Sequence, residues 1–250
     1  VNGSGHGVAL SIRGLHKAFG GLVAVRELTF DVPDGAITGL IGPNGSGKTT
    51  VLNLVTGELM PDRGEIVLDG RDIAGWPPFR VCRARIARTF QLVRVLPTMT
   101  VRENVMLGAM FGSAPADLAR AAAEADALIA RVGLAGAEAM RGTQLTYIDQ
   151  KRVELARALA CRPRLLLLDE WLAGLNPTEL QTGIALVRSI GVAGVAIVMV
   201  EHVMEAIRAL CDSVVVMNAG ELIAAGAPDD VLADPAVMRA YLGAEDDAAA

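Results

Sequence analysis

The chain has 250 residues, one to two domains' worth, and 52% of them are apolar, enough for a large core. A net charge of −5 with no basic block excludes nucleic acid as a suggested partner. Mean hydropathy is positive, but the longest clean apolar run, residues 190–200, carries two interior glycines and is too short to cross a bilayer.

In chain order, residues 1–7 lack the apolar core of a signal peptide and are expected to be a flexible end, as are 244–250. Residues 8–13 and 23–32 alternate apolar and polar, which predicts an antiparallel sheet beside a parallel core. Phe19-Gly20-Gly21 between them is a turn carrying one aromatic ring. The apolar run 36–41 reads as a buried strand and 50–55 as the first turns of a helix. Residues 60–64 form a turn, and 65–70 a strand ending in the tight-turn pair Asp69-Gly70. Residues 86–90 read as a strand leading into Gln91. The stretches 100–111 and 115–132 are alanine-rich with a helical period, so 91–147 is expected to be a helical subdomain inserted into an α/β core of 8–90 and 148–243. A helix is expected over 149–161, a buried strand over 165–170, a helix over 178–190 and a strand over 195–200. The run 190–200 suits a strand buried on both faces. Strands over 213–217 and 221–224 precede short helices at 228–232 and 235–241, each with proline near its start. This alternation predicts an α/β fold, a mostly parallel sheet covered on both faces.

Cys82, Cys161 and Cys211 are scattered singly, with no CxxC pair and no Cys/His cluster. They read as separate buried thiols of a reducing compartment.

Chemistry concentrates in a few places. Gly42-Pro43-Asn44-Gly45-Ser46-Gly47-Lys48-Thr49, between the expected strand and helix, fits the phosphate-binding loop pattern. The glycines let backbone N–H groups turn around a phosphate chain, and the helix N-terminus adds partial positive charge. Lys48 would reach the β- and γ-phosphates and the Thr49 hydroxyl would ligate Mg²⁺. Asp169, after four leucines, stands where such proteins place the acid that helps hold Mg²⁺. Glu170 beside it suits a general base for water; a helix-capping or arginine-paired acid is the alternative for both. On position alone, His202 fits a surface histidine as well as a catalytic one. Gln91 fits a surface residue as well as a γ-phosphate sensor, and Phe19 a core ring as well as one stacked on a base.

Taken in order, these parts resemble the nucleotide-binding subunit of ATP-binding cassette (ABC) transporters. Phe19 matches the base-stacking aromatic, 42–49 with Thr50 the Walker A loop, and Gln91 the Q-loop glutamine, a further Mg²⁺ ligand. Leu145-Thr146-Tyr147-Ile148-Asp149-Gln150 occupies the place of the LSGGQ signature. Residues 165–169 match Walker B, Glu170 the catalytic glutamate, Ala173-Gly174-Leu175-Asn176 the D-loop and His202 the switch histidine. Phe19-Gly20-Gly21, Ile86-Ala87-Arg88-Thr89-Phe90-Gln91, Ala173-Gly174-Leu175-Asn176-Pro177-Thr178-Glu179 and Ala240-Tyr241-Leu242-Gly243 look like the ATP-binding subunits of branched-chain amino acid importers. The resemblance covers about residues 8–243, taken as one ABC ATPase domain. It implies ATP and Mg²⁺ as ligands and hydrolysis driving uptake of a small polar solute. It also implies permease subunits, a second ATP-binding subunit and, indirectly, a solute-binding protein, at the cytoplasmic face of the cell membrane. Urea or amide import, export, and a weakly hydrolysing regulatory module are the alternatives.

The signature departs from the family pattern. Thr146 keeps the hydroxyl that can donate to a γ-phosphate. Ile148 stands where a glycine is usual, and a β-branched residue resists positive φ. Asp149 brings a negative charge. Either the backbone at 148 is α-helical, which tolerates isoleucine, or this half-site is weakened. The intact Gln150-Lys151-Arg152 and downstream helix favour tolerance. Val93, Val95, Leu96, Met99 and Val101 suit either a permease-docking groove or core.

Overall fold

The computed structural model describes residues 7–247, with side chains over 7–241. Of the ends expected to be flexible, 1–6 and 248–250 lie outside the described residues, and 244–247 continue the last helix. The chain divides into two compact units, one of residues 1–77 and 172–250, the other of 78–171.

The first unit begins with β1 (Val8–Phe19), β2 (Leu22–Pro33), β3 (Ile37–Ile41), α1 (Lys48–Val55), β4 (Arg63–Leu68) and β5 (Arg71–Asp72). The second unit holds α2 (Pro78–Arg83), β6 (Ile86–Arg88), α3 (Val101–Phe111), α4 (Leu118–Arg131), α5 (Tyr147–Ala160) and β7 (Leu165–Asp169). The chain returns to the first unit with α6 (Pro177–Val192), β8 (Ala196–Val200), α7 (Met204–Leu210), β9 (Ser213–Asn218), β10 (Glu221–Gly226), α8 (Pro228–Leu232) and α9 (Pro235–Asp247).

In the first unit, β1 and β2 form a hairpin with Phe19 opposite Leu22, and β4 pairs with the other edge of β1. The order β2-β1-β4-β5 is an antiparallel sheet, as the alternating segments predict. Leu10, Ile12 and Leu15 of β1 and Ile66 of β4 face its buried side. β3 runs parallel to β8 on one side and β9 on the other, while β10 is antiparallel to β9. Every residue of β3 and β8 is buried, which is why both read as unbroken apolar runs. The run 190–200 is not one strand. α6 continues to an exposed Val192, and β8 starts only at Ala196.

In the second unit β6 and β7 pair in parallel, Ile86 beside Leu165. Leu165–Leu168 of β7 are at most 1% exposed, each such side chain stabilising by about 1.5–3 kcal/mol. Helices α3, α4 and α5 pack on one another, and Val101, Val105, Ala125, Ile129, Val153 and Ala156 on them are buried. Gly108 permits this approach, since a Cβ there would stand 2.2 Å from the Arg157 carbonyl oxygen. Thr100 with Glu103 forms a capping box on α3, and Asp117 caps α4. The helical stretch expected over 91–147 thus lies within a unit that also takes in α2, β6, α5 and β7.

The cysteines are not all separate. Cys82 Sγ on α2 lies 3.9 Å from Cys161 Sγ at the end of α5, both half-buried, and only Cys211 is buried. Seventy-nine residues separate the pair in sequence, so spacing rules could not find it. Helices α2 and α7 were also not anticipated, being too short to show a period.

Candidate functional site

In the first unit, β3 delivers the chain to the glycine-rich loop. Gly42 and Gly47 have φ of 147° and 105°. A Cβ at Gly42 would come within 2.0 Å of the Met217 carbonyl oxygen, and one at Gly47 within 2.3 Å of that of Ala24. Both are therefore pressed against neighbouring strands, while Gly45 faces open space. Helix α1 starts at Lys48 with no side-chain cap and no acid in its first turn. Its leading N–H groups have no carbonyl of their own helix to meet, and they share the positive end of its dipole. That is an anion site built from backbone. Lys48 Nζ donates to the carbonyl oxygens of Gly42 and Pro43 at 2.8 Å each and to Ser46 Oγ at 3.4 Å. The ammonium is thereby held over its own loop. Pro43 and Ser46 are buried, Asn44 and Thr49 exposed, and Thr50 half-buried.

Phe19 closes β1 with 46% of its surface exposed, so it is not a core ring. His202 is exposed just past β8. The buried Glu201 beside it accepts from Leu172 N at 2.6 Å and so fixes the start of the segment leading to Asn176, the N-cap of α6. Tyr241 on α9 is half-buried, and burial pushes its hydroxyl pKa up against a smaller opposing pull from the Gly42 backbone. Neither Glu201 nor Tyr241 stood out as a site residue in the sequence.

The second unit gathers the other candidates. Asp169 ends β7, 2% exposed, and Arg88 Nη2 of β6 donates to its carboxylate at 2.7 Å. Glu170 follows with φ of 50°, a left-handed conformation that costs a residue other than glycine of order 1 kcal/mol or more. Gln91 Nε2 donates to Glu170 Oε2 at 2.8 Å. Gln91 is itself bracketed. Glu154 of α5, 1% exposed, accepts from Phe90 N at 3.1 Å and Arg94 N at 2.9 Å. Burial pushes the Glu154 carboxyl above its ordinary range, against the opposing pull of those two N–H groups and Arg157. Lys151 of α5, 4% exposed, donates to the carbonyl oxygens of Glu170 at 3.2 Å and Trp171 at 3.1 Å. Arg88, Glu154 and Lys151 were missed as site residues. Their one legible signal is a charge set within an otherwise apolar strand or helix face.

The unusual signature resolves simply. Ile148 lies inside α5, and it is not among the residues with positive φ. The isoleucine meets no backbone strain. Thr146 is the N-cap: its hydroxyl accepts from Asp149 N at 3.2 Å and donates to Asp149 Oδ2 at 2.7 Å. Arg152 Nη1 lies 3.3 Å from Asp149 Oδ1. The extra acid is thus a helix-capping partner with its charge matched. Among the groove candidates Val101 is fully buried and belongs to the helical core, whereas Leu96 is 41% exposed.

Comparison with known proteins points one way. Residues 25–173 match the family model described as ABC transporter. Residues 221–247 match that of the branched-chain amino acid ATP-binding cassette transporter. The chain is 36% identical over 248 residues to the high-affinity branched-chain amino acid transport ATP-binding protein LivG of Salmonella typhimurium, covering 94% of this chain and 97% of that one. It is 38% identical over 252 residues, with the same coverage, to the corresponding protein BraF of Pseudomonas aeruginosa. Among solved structures, the ADP conformation of an ATP-binding cassette of an ABC transporter superposes with a TM-score of 0.85 at 28% identity, over 94% of this chain and 99% of that one.

Proposed function

The chain belongs to the ABC transporter family, and from that premise we propose that its ATPase powers uptake of branched-chain or related amino acids. The observation that carries this reading is similarity to LivG and BraF from end to end, down to the closing segment 221–247. An ABC ATPase of this kind binds and hydrolyses ATP.

The residue roles follow from chemistry. Residues 42–50 hold the phosphate tail through backbone N–H groups, with Lys48 on the β- and γ-phosphates. Phe19, exposed at a strand end, stacks on the base. Glu170 accepts the proton of the attacking water, and Gln91, bonded to it, links that carboxylate to the γ-phosphate. His202 contacts the γ-phosphate side of the nucleotide. Thr146 of a second ATP-binding subunit, identical or related, donates at the developing charge.

Among the described residues no group of three or more His, Cys, Asp or Glu gathers as a metal centre. Thr49 in the first unit offers a hydroxyl, and Asp169 and Gln91 in the second a carboxylate and an amide oxygen, each a hard donor of the kind that suits Mg²⁺. Mg²⁺ arriving with the nucleotide would neutralise charge on its phosphates. No helix among the described residues is long and apolar enough to cross a membrane. As in ABC transporters generally, permease subunits provide the path, and this chain docks on their cytoplasmic face, with a solute-binding protein supplying solute from the other side.

The test is uptake of radiolabelled leucine by the reconstituted transporter. The reading expects uptake with the chain and ATP, and none with Glu170→Gln. Uptake unaffected by omitting the chain, or a transporter indifferent to leucine, isoleucine and valine, contradicts it.

A further inference from the structure

A closed circuit of contacts runs through the second unit. Gln91 Nε2 donates to Glu170 Oε2 at 2.8 Å. The backbone oxygens of Glu170 and Trp171 accept from Lys151 Nζ at 3.2 and 3.1 Å. The Lys151 ammonium stands 5.3 Å from the centre of the Tyr147 ring. The Tyr147 hydroxyl donates to the Gln91 backbone oxygen at 3.4 Å. Trp171 Nε1 closes a second ring by donating to the Lys151 carbonyl oxygen at 3.1 Å.

Lys151 is the member of this circuit whose position needs explaining. An ammonium 4% exposed is costly to keep out of water unless its donors are used. Here it spends two of them on consecutive carbonyls at the one place in the site where the backbone is strained. Glu170 sits at φ 50°, and a side chain in that conformation persists only when its surroundings over-determine it. A cation fixed on the carbonyls of residues 170 and 171 does so from one side, and the Trp171 indole locks the cation's own backbone from the other.

We propose that Lys151 is a positioning residue for hydrolysis: by clamping the carbonyls of Glu170 and Trp171 it holds the Glu170 backbone left-handed and aims the carboxylate. Lys151 lies one turn into the helix that Thr146 caps. The clamp therefore ties the aim of the glutamate to the signature helix. The inference rests on Glu170 being the general base. It predicts a residue that governs turnover without touching nucleotide.

The experiment compares Lys151→Met, Lys151→Arg and Glu170→Gln in the full chain. Hydrolysis with magnesium, equilibrium ATP affinity and amide hydrogen exchange over 169–173 are measured for each. Lys151→Met should lower kcat about a hundredfold, the scale of an ångström's misplacement. It should leave ATP affinity within about twofold by the same reasoning, and quicken exchange at 169–173. Lys151→Arg, which keeps a cation with N–H donors at a similar reach, should restore most of the rate. Wild-type kcat in Lys151→Met overturns the proposal, as does an equal loss of ATP affinity, which would mark a merely structural role. Should Lys151→Met not fold, Trp171→Phe loosens the same clamp more gently, and an unchanged kcat there overturns it equally. Full hydrolysis in Glu170→Gln instead sinks the reading of Glu170, whatever Lys151 does.

Discussion

At the residue scale, a buried ion pair and a helical isoleucine bear on the site. Arg88 and Asp169 are 5% and 3% exposed at their side chains, so removing one leaves an uncompensated charge in the interior. Arg88→Ala should cost about 3–5 kcal/mol of stability. Thermal or urea unfolding measures it, and a loss below ~1 kcal/mol would show that Asp169 finds another partner. Ile148 teaches the opposite lesson. As a helical residue in α5 it gains nothing from glycine. Ile148→Gly should destabilise by about 0.5–1 kcal/mol through helix propensity and leave hydrolysis unchanged. A marked rise in turnover would mean the isoleucine obstructs the nucleotide after all. The sequence posed this question without answering it. A β-branched residue in a glycine's place is legible, but the backbone angle that decides its cost is not.

At the scale of elements, α5 does more than present the signature. Through Glu154 it holds the backbone on both sides of Gln91, and through Lys151 it holds the end of β7. Glu154 carries a pH signature whose sign can be worked out. Its folded pKa is raised, so in the window just above the ordinary value of 4.5 the native state binds a proton that the unfolded chain has released. Its contribution to stability therefore falls as pH rises through that window. Glu154→Gln should flatten this slope, seen by unfolding across the window; a slope identical to wild type would place the titration elsewhere. The elements themselves were largely readable. The continuous apolar runs of β3, β7 and β8 and the alternation in β1 and β2 are local signals. The short helices α2 and α7 were not, because six or seven residues carry too little period. Contacts that join distant segments, such as Cys82 with Cys161 or Lys151 with Glu170, depend on tertiary packing that no spacing encodes.

For the whole molecule, the fold class and the family were legible because seven short motifs stand in one order. Most of these motifs are read from what a phosphate chain needs rather than from packing, and Phe19 from what a base stacks on. Less legible was the support around them: Arg88, Glu154, Lys151, Glu201 and Tyr241 are ordinary residue types until the fold sets them against the motif residues. The central claim is that the phosphates of ATP bind on the loop of 42–49 under Lys48. Equilibrium binding of ATP with magnesium, wild type against Lys48→Ala, tests it most directly. Loss of a charge-assisted contact should weaken affinity about tenfold or more; equal affinity in the two proteins would contradict the account.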